Sequence, residues 1–269
     1  MLMTNIRIDH DASALYQAEV LGRRQVSPNI MRVTLGGADL AGFEFLGFDH
    51  WCRLALPVHG GQQLGRLPAA FNLTGYLKYL RLPKGTRPVI RNYTFRQFRA
   101  AARDGPEVDI DFVVHGDEGV AGPWARTVES GAPVAVFAQG RGFAPVPADR
   151  TLLVADESAL PAVAGILRDL PRETTGHALI EVLDEADIQS AQAPAGMDVR
   201  WLVRGAGQSP GAWVLPALED LEFPVGQPYV FAAGESALVT GARRHLVKAR
   251  AVPKRNITFV GYWKEGRSS

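Results

Sequence analysis

The spacing of the apolar segments changes near residue 140, and this change constrains the fold more than any other feature of the sequence. Before it, short segments rich in β-branched and aromatic residues alternate with turn residues, which is typical of a small antiparallel barrel. After it, apolar strands alternate with helices, which predicts a parallel sheet with helices on both faces. The Gly- and Pro-rich stretch Gln139–Pro147 separates the two patterns. We therefore expect a β domain over residues 1–147 and an α/β domain over residues 148–269.

The first pattern holds about six strands and one long connection. The strands are expected at Ala18–Arg24, Ile30–Leu35, Cys52–Leu56, Val89–Phe98, Glu107–His115 and Pro133–Ala138, with a short helix at Ala125–Ser130. The connection from His59 to Pro88 is rich in Gly, Pro, Leu, Lys and Arg and has room for one short helix. Structureless loops longer than ~12–15 residues are uncommon and often functional. This one either shapes the edge of a site or is a surface insertion, and the sequence leaves both interpretations open.

The second pattern places helices between apolar strands. The strands are expected at Thr151–Ala155, His177–Leu183, Val199–Val203, Tyr229–Ala232 and Ile257–Tyr262, and the helices at Ala159–Leu170, Ala212–Leu218 and Ser236–Arg250. Parallel sheets of this kind bind ligands beyond the carboxyl ends of their strands, near the switch in strand order. The turns that follow the strands are therefore where we expect a site.

Composition argues against several classes of protein. A formal net charge of +1 gives no overall attraction to nucleic acid or to a membrane. No apolar run approaches the ~20 residues of a membrane span, and the first residues lack the apolar core of a signal peptide. The single Cys52 excludes an internal disulfide and an all-cysteine iron–sulfur cluster, and the six histidines are scattered. We expect a cytoplasmic protein with no metal site of its own.

The run Arg91-Asn92-Tyr93-Thr94-Phe95-Arg96 lies on an expected strand and alternates in strand fashion, so Arg91 and Tyr93 share one face. An arginine guanidinium forms bidentate hydrogen bonds to phosphate oxygens, and a tyrosine phenol offers a rigid face for stacking. This pair suits a ligand with an anionic end and a flat aromatic end. Thr94 points to the other face unless the strand bends or ends there, in which case it could hydrogen-bond a ring heteroatom.

A second run, Asp109–Gly116, has the pattern of a strand that ends in a turn. The stretch Gly119-Val-Ala-Gly-Pro-Trp-Ala125 follows and begins a helix near Gly122, with Pro123 at the first helical position. Small residues before a helix N-terminus leave amide groups bare, and these amides with the helix dipole favour a pyrophosphate. The two runs together describe a site for a dinucleotide with a flat ring system, and a flavin fits best.

Arg91-x-Tyr93-Thr94 resembles the flavin fingerprint of the ferredoxin-NADP reductase superfamily, and the longer pattern resembles one branch of it, the siderophore-interacting proteins. Members of this branch are flavin-dependent ferric-siderophore reductases. Six matching pieces occur in the family's order over most of the chain. They are Arg91–Arg96, His115–Gly119, Ala121–Ala125, Ala155–Pro161, Ala233–Glu235 and Gly261–Lys264.

The resemblance implies a six-stranded flavin-binding barrel followed by a parallel-sheet domain that binds NAD(P)H. It implies FAD as the cofactor, with Arg91 on a flavin phosphate and Tyr93 and Thr94 against the isoalloxazine. The flavin carries the chemistry, so no catalytic side chain is expected. The other residues expected at the FAD on this basis are Arg96, His115, Gly116, Ala121, Gly122 and Trp124.

In the second domain the resemblance assigns nucleotide-binding roles to three places that follow strands. Asp156, Glu157 and Ser158 form the first turn, which lacks a Gly-x-Gly-x-x-Gly pattern; Ser158 can cap the next helix or meet a phosphate. Arg204 follows the third strand, where related reductases contact the 2'-phosphate of NADPH, although a solvated arginine is the plainer interpretation. Ala233, Gly234 and Glu235 follow the fourth strand, where Glu235 orients the nicotinamide or caps a helix. NADPH is favoured over NADH.

Basic residues are candidates for binding an anionic ferric chelate, and the residues chosen are Lys264, Lys248 and Arg141. Lys264 stands where many relatives of the family have arginine, near the flavin and substrate pocket. Lys248 lies on a helix with Arg243 and Arg244, and such a run is more often a solvated face.

Three functions remain open from the sequence. The first is a cytosolic reductase that passes electrons from NAD(P)H through FAD to siderophore-bound Fe(III) and releases Fe(II). The second is a flavoprotein reductase coupled to a ferredoxin or to free flavin, with a basic face for an acidic partner. The third is a siderophore-binding or flavin-sensing protein without turnover. Neither nucleic acid nor stable membrane insertion is expected in any of them.

Overall fold

The computed structural model describes residues 4–6, 14–58, 63–114, 119–205, 207–222 and 226–266. The chain divides into two compact units. The first, called the barrel unit here, holds Ile8–Leu46 and His50–Arg141. The second, called the sheet unit, holds Gly142–Ser269 with Met1–Arg7 and Gly47–Asp49.

The barrel unit is built on six antiparallel strands. They are β1 (Ala14–Ser27), β2 (Ile30–Gly36), β3 (Trp51–Leu56), β4 (Val89–Ala102), β5 (Gly105–Val113) and β6 (Pro133–Ala138). The strands close in the order β1-β2-β5-β4-β3-β6, so no edge of the sheet is left unpaired. The six-stranded barrel predicted from the sequence is confirmed.

Alternate residues of the barrel strands point inward, as the two-residue period of a strand requires. Cys52, Leu54 and Leu56 of β3 are fully buried in one apolar cluster with Phe95 and Ile110. This core fixes which face of β4 looks into the barrel, and with it the direction of the side chains in the Arg91–Arg96 run.

Two helices join the barrel strands. Helix α1 (Leu73–Leu80) lies in the long connection between β3 and β4, and α2 (Ala121–Thr127) lies between β5 and β6. The connection packs on the outside of the barrel through Leu64, Leu67 and Phe71, which share a second apolar cluster with strand residues such as Phe137. The predicted helix at Ala125–Ser130 is wrong in position, because the backbone turn already begins with the bond from Trp124 N–H to the Val120 carbonyl.

The sheet unit contains five parallel strands with helices between them. The strands are β7 (Arg150–Ala155), β8 (Thr175–Val182), β9 (Gly196–Val203), β10 (Pro228–Glu235) and β11 (Ile257–Trp263). The helices are α3 (Leu160–Asp169), α4 (Val214–Glu219) and α5 (Ser236–Lys248). The strand order is β11-β10-β7-β8-β9, so the order reverses between β7 and β10. This confirms the predicted parallel sheet, and it locates the crevice where such sheets bind ligands.

Candidate functional site

The register of β4 against β3 sets the faces of the Arg91–Arg96 run. Arg91 pairs with Leu54 and Tyr93 with Cys52, and both partners are buried inside the barrel. Thr94 pairs instead with Trp51, so it lies on the opposite face, and it is buried. Arg91 and Tyr93 therefore share a face, as the alternation predicted.

Arg91 is half-buried and has no carboxylate partner in the part of the chain that the structure describes. Its Nη1 donates to the neighbouring Ile90 carbonyl at 2.9 Å, which leaves most of the guanidinium's donors for another group. The other arginines of β4 form ion pairs with carboxylates. Arg96 lies 3.6 Å from Asp111, and Arg99 contacts Asp109 at 2.7 Å. A partly buried cation without a counter-charge favours an anionic ligand.

A row of aromatic rings connects the Arg91–Arg96 run to the start of α2. Tyr93 lies 4.3 Å from Phe112, measured between ring centroids, and Phe112 lies 5.6 Å from Trp124. Burial raises the pKa of the Tyr93 phenol above its ordinary value of 10.0, and the hydroxyl is a hydrogen-bond donor at neutral pH. The structure thus brings Tyr93 and Trp124 into one cluster through Phe112.

The first turn of α2 begins at Ala121, one residue before the predicted start at Gly122, with Val120 at the N-cap. Pro123 is therefore the third helical residue and not the first. The amides of Ala121 and Gly122 have no acceptor within the helix, because the first turn lacks a preceding one. They are placed to meet an anion near Trp124. His115 and Gly116, also predicted to bind FAD, lie outside the described residues.

In the sheet unit, two of the predicted turns meet at the reversal of strand order. Ala155 at the end of β7 pairs with Ala233 of β10, so the Asp156–Ser158 turn lies beside Gly234 and Glu235. The order of these strands therefore joins two segments that are about eighty residues apart in the chain. This is the position at which parallel sheets bind nucleotides.

Asp156 is the centre of this crevice and is fully buried. Its Oδ1 accepts from both the amide and the hydroxyl of Ser158, at 2.9 and 2.5 Å. Its Oδ2 accepts from the Glu235 amide at 2.6 Å and from the Trp263 indole at 3.2 Å. Burial raises the pKa of the Asp156 carboxyl, and these hydrogen bonds oppose that shift. Asp156, and not Ser158, is therefore the capping residue, and the Ser158 donors predicted to meet a phosphate are engaged.

Arg204 is buried, so the expectation of a solvated arginine is wrong. Its side chain is 4% exposed, and it donates to Glu181 Oε1 at 2.9 Å and to Glu157 Oε1 at 2.8 Å. Both carboxylates are more deeply buried still. The guanidinium is thus enclosed by protein partners and cannot present its planar fork to a nucleotide in this arrangement.

Glu235 caps α5. Its Oε2 accepts from the amides of Ala237 and Leu238, and its Oε1 accepts from the Glu265 amide at 3.2 Å. Gly234 has φ +137°, and a Cβ added there would lie 2.6 Å from the Asp156 carboxyl. Of the two roles that the sequence left open for Glu235, the structure shows the cap, and Gly234 is required by the close approach to Asp156.

The candidate substrate-binding residues fall in different places. Lys264 is exposed directly after β11, at the carboxyl edge of the sheet near Glu235. Lys248 ends α5, which returns from the carboxyl edge to the amino edge because β10 and β11 are parallel. Lys248 therefore lies at the opposite edge from Lys264, and the two do not share a site within this unit. Arg141 is exposed in the barrel unit.

Sequence reasoning missed two residues that organise these places. Phe112 joins Tyr93 to Trp124, and Glu181 accepts from the amides of Gly211, Trp213 and Val214 as well as from Arg204. A single carboxylate within the apolar strand β8 is the signal that could have identified Glu181, since a buried charge needs several partners.

Comparison with protein-family models gives two matches that together span most of the chain. The model described as siderophore-interacting FAD-binding domain matches residues 19–142, and the model described as siderophore-interacting protein matches residues 148–266.

Individual relatives agree. The chain is 32% identical to the ferric vibriobactin reductase ViuB of Vibrio cholerae, over 91% of this chain and 88% of that protein. Among solved structures, a siderophore utilization protein from T. fusca has a TM-score of 0.78 at 34% identity, covering 97% of each chain. The siderophore-interacting protein SipS from Aeromonas hydrophila has a TM-score of 0.76 at 30% identity, covering 95% of this chain and 94% of that one.

Proposed function

Because this chain belongs to the family of siderophore-interacting proteins, we propose that it is a cytosolic FAD-dependent reductase that passes electrons from NAD(P)H to the Fe(III) of a siderophore. The relative ViuB is named as a ferric vibriobactin reductase, which supports the reaction class. We propose further that residues 1–147 hold the FAD and residues 148–269 the nicotinamide nucleotide.

The residues of the barrel unit fit FAD. Arg91 offers a guanidinium without a carboxylate partner among the described residues, and phosphate is the anion that its fork suits best. Tyr93 lies on the same strand face and keeps its hydroxyl proton, so it can contact the isoalloxazine with ring and hydroxyl. Trp124 and the first amides of α2 suit the pyrophosphate and adenosine side. This placement of Arg91 beside Tyr93 is the observation that carries the proposal.

The crevice between β7 and β10 suits the nicotinamide nucleotide. Gly234 lets the backbone of β10 lie against the Asp156 carboxyl, and Asp156 in turn fixes the amide of Glu235 at this edge. Arg204 gives no support to NADPH over NADH, since Glu157 and Glu181 hold its guanidinium. We therefore propose NAD(P)H as the donor and leave the 2'-phosphate to be tested.

The substrate is a ferric chelate whose negative charge suits an exposed cation. Lys264 is such a cation, because it is exposed at the carboxyl edge of the sheet. Bound FAD supplies the exchange between two-electron oxidation of NAD(P)H and one-electron reduction of Fe(III). The hard oxygen ligands of a siderophore hold Fe(II) less well than Fe(III), so reduction releases the metal. No side chain has to act as a general acid or as a nucleophile, and the protein's task is to bind and orient.

Anaerobic spectroscopy on the purified full chain tests this function. NADPH or NADH is added with and without a ferric siderophore, in the presence of a ferrous trap. Bleaching of the flavin by one nucleotide, followed by chelate-dependent recovery of the yellow colour and trapped Fe(II), is the expected result. The apoprotein, freed of its flavin, controls for reduction of the chelate without the cofactor.

The other two functions give different results in the same experiment. Bound flavin that neither nucleotide bleaches, but that a reduced ferredoxin does, would replace NAD(P)H with a ferredoxin donor. Fast reduction of free flavin with no acceleration by the chelate would identify a flavin reductase. Chelate binding without any electron transfer would identify a binding protein and contradict the proposal.

A further inference from the structure

Helix α1 exposes an apolar stripe to solvent. Leu73, Tyr76, Leu77 and Leu80 are 76%, 45%, 51% and 43% exposed. Their spacing of three and four residues places them on one face of the helix. Single exposed apolar residues are ordinary on protein surfaces, but four on one helix face form a contiguous patch, and such patches mark interaction sites.

The packing of α1 fixes this orientation. Gly75, on the opposite side of the helix, is buried, and a Cβ there would lie 2.0 Å from the Ala70 carbonyl oxygen. Tyr79 donates from its hydroxyl to the Pro88 carbonyl at 2.9 Å and packs on Phe71. The Asn72 side chain caps the helix by accepting from the Gly75 amide at 2.9 Å. Because the inner face is held in these ways, the helix cannot rotate to bury the stripe.

Exposed cations lie on α1 and in the segments that flank it in the sequence. Between Asp49 and Asp104 the sequence has no Asp or Glu but has ten of the chain's 29 Lys and Arg residues, although the whole chain carries a net charge of only +1. Four of these cations lie exposed on α1 or in the segments that flank it. They are Arg66, Lys78, Arg81 and Lys84. A partner for this surface must therefore offer an apolar region to the stripe and negative charge to the cations.

We propose that this surface, the α1 stripe with its four cations, binds the headgroup region of an anionic phospholipid bilayer. Helices that lie in a membrane interface combine an apolar face with Lys and Arg along its border, and the two contributions act together. A second copy of the chain would bring like charges together, which disfavours self-association through this face. The proposal concerns binding to the membrane surface, and no helix among the described residues is long and apolar enough to cross a membrane.

Vesicle co-sedimentation of the full chain tests this proposal. The vesicles are phosphatidylcholine alone, or phosphatidylcholine with about one third phosphatidylglycerol, at about 0.1 M and about 0.5 M NaCl. We expect binding to the anionic vesicles at the lower salt concentration, and loss of most of it at the higher one. The Leu73→Ser, Leu77→Ser double variant removes apolar surface, and the Lys78→Glu, Arg81→Glu, Lys84→Glu variant reverses the charge. Each is expected to weaken binding by at least about tenfold.

Matched controls separate a local effect from a general one. The Arg24→Glu, Arg244→Glu, Lys254→Glu variant makes the same change of net charge at exposed positions outside α1 and its flanking segments, and it should bind vesicles as the wild type does. All variants change exposed side chains, so their circular dichroism and thermal unfolding should match the wild type.

Two results would overturn the proposal. One is equal sedimentation of the wild type, the serine variant and the charge variant with anionic vesicles. The other is a dimer of the wild type in light scattering that the serine variant abolishes, with no vesicle binding, which would assign the stripe to a second copy of the chain.

Discussion

Arg204 and Glu157 form a buried ion pair, with Nη2 2.8 Å from Oε1 and less than one twentieth of either side chain exposed. Glu157 Oε2 has no hydrogen-bond partner among the described residues, so one side of the carboxylate is poorly solvated. Burial and the neighbouring Asp156 raise the pKa of Glu157 to about 7, against the opposing effect of Arg204. The pair therefore lies at the carboxyl edge of the parallel sheet with a carboxyl that titrates near neutral pH.

The first prediction concerns this titration. The pKa of Glu157 is higher in the folded state than its ordinary 4.5, so the folded state favours the protonated carboxyl. The contribution of Glu157 to the free energy of unfolding is therefore full below about pH 4.5 and is lost as the pH rises towards 7. The difference in free energy of unfolding between wild type and Glu157→Gln should fall by up to about 3 kcal/mol across this window and stay constant above it. Urea denaturation at a series of pH values measures it.

The exposed Glu185 provides the matched control substitution for that series, Glu185→Gln. A difference between wild type and Glu157→Gln that is constant, or that rises with pH, would show that Glu157 titrates as an ordinary carboxyl.

A second prediction concerns Arg204 and nucleotide choice. Arg204→Ala leaves Glu157 and Glu181 buried without their cation and should cost about 3 kcal/mol or more of stability. Arg204→Lys retains the charge and should fold. Because the guanidinium is enclosed, this variant should change the KM for NADPH and for NADH by the same factor. A selective rise in the KM for NADPH would instead assign Arg204 to the 2'-phosphate.

A third prediction concerns Arg91. Arg91→Ala should weaken FAD binding by about 2 kcal/mol, or roughly thirtyfold, because charge-assisted hydrogen bonds to a phosphate would be lost. Arg91→Lys should recover part of this, since it keeps the charge without the fork. Flavin fluorescence titration of the apoprotein measures both. The exposed Arg103, just beyond β4, gives a control whose alanine variant should keep full affinity, and equal affinities for all four proteins would remove Arg91 from the flavin site.

The fourth prediction concerns Lys264. Lys264→Ala should raise the KM for an anionic ferric chelate severalfold, equivalent to about 1 kcal/mol for one exposed charge, while flavin content and the KM for NAD(P)H stay unchanged. Lys264→Arg should restore the wild-type value. Lys254→Ala, another exposed lysine of the sheet unit, is the control. Unchanged kinetics in Lys264→Ala would leave this lysine as an ordinary surface residue.

The sequence predicted the elements of both units because strand and helix periods are local properties. The shared face of Arg91 and Tyr93 followed from the two-residue period of a strand, and the parallel sheet followed from alternating helices and apolar strands. These inferences needed no knowledge of distant contacts.

The hydrogen-bond partners of the polar side chains could not be predicted in this way. Arg204 meets Glu157 across 47 residues, and Glu235 donates its amide to Asp156 across 79 residues. Such pairs depend on strand order, which local patterns do not contain. For the same reason the sequence predicted Arg204 as a solvated or phosphate-binding residue and Ser158 as a cap. In the structure, buried carboxylates accept hydrogen bonds from both residues.

The pairing of Cys52 with Tyr93 gives the barrel an internal reporter. The only thiol of the chain is fully buried opposite the tyrosine of the proposed flavin site, and burial raises its pKa. A thiol reagent can therefore reach Cys52 only when the barrel opens around β3, which pairs with both β4 and β6. The labelling rate in native buffer measures the free energy of that local opening, and its slowing by added FAD would measure how far the cofactor holds the barrel closed around β3.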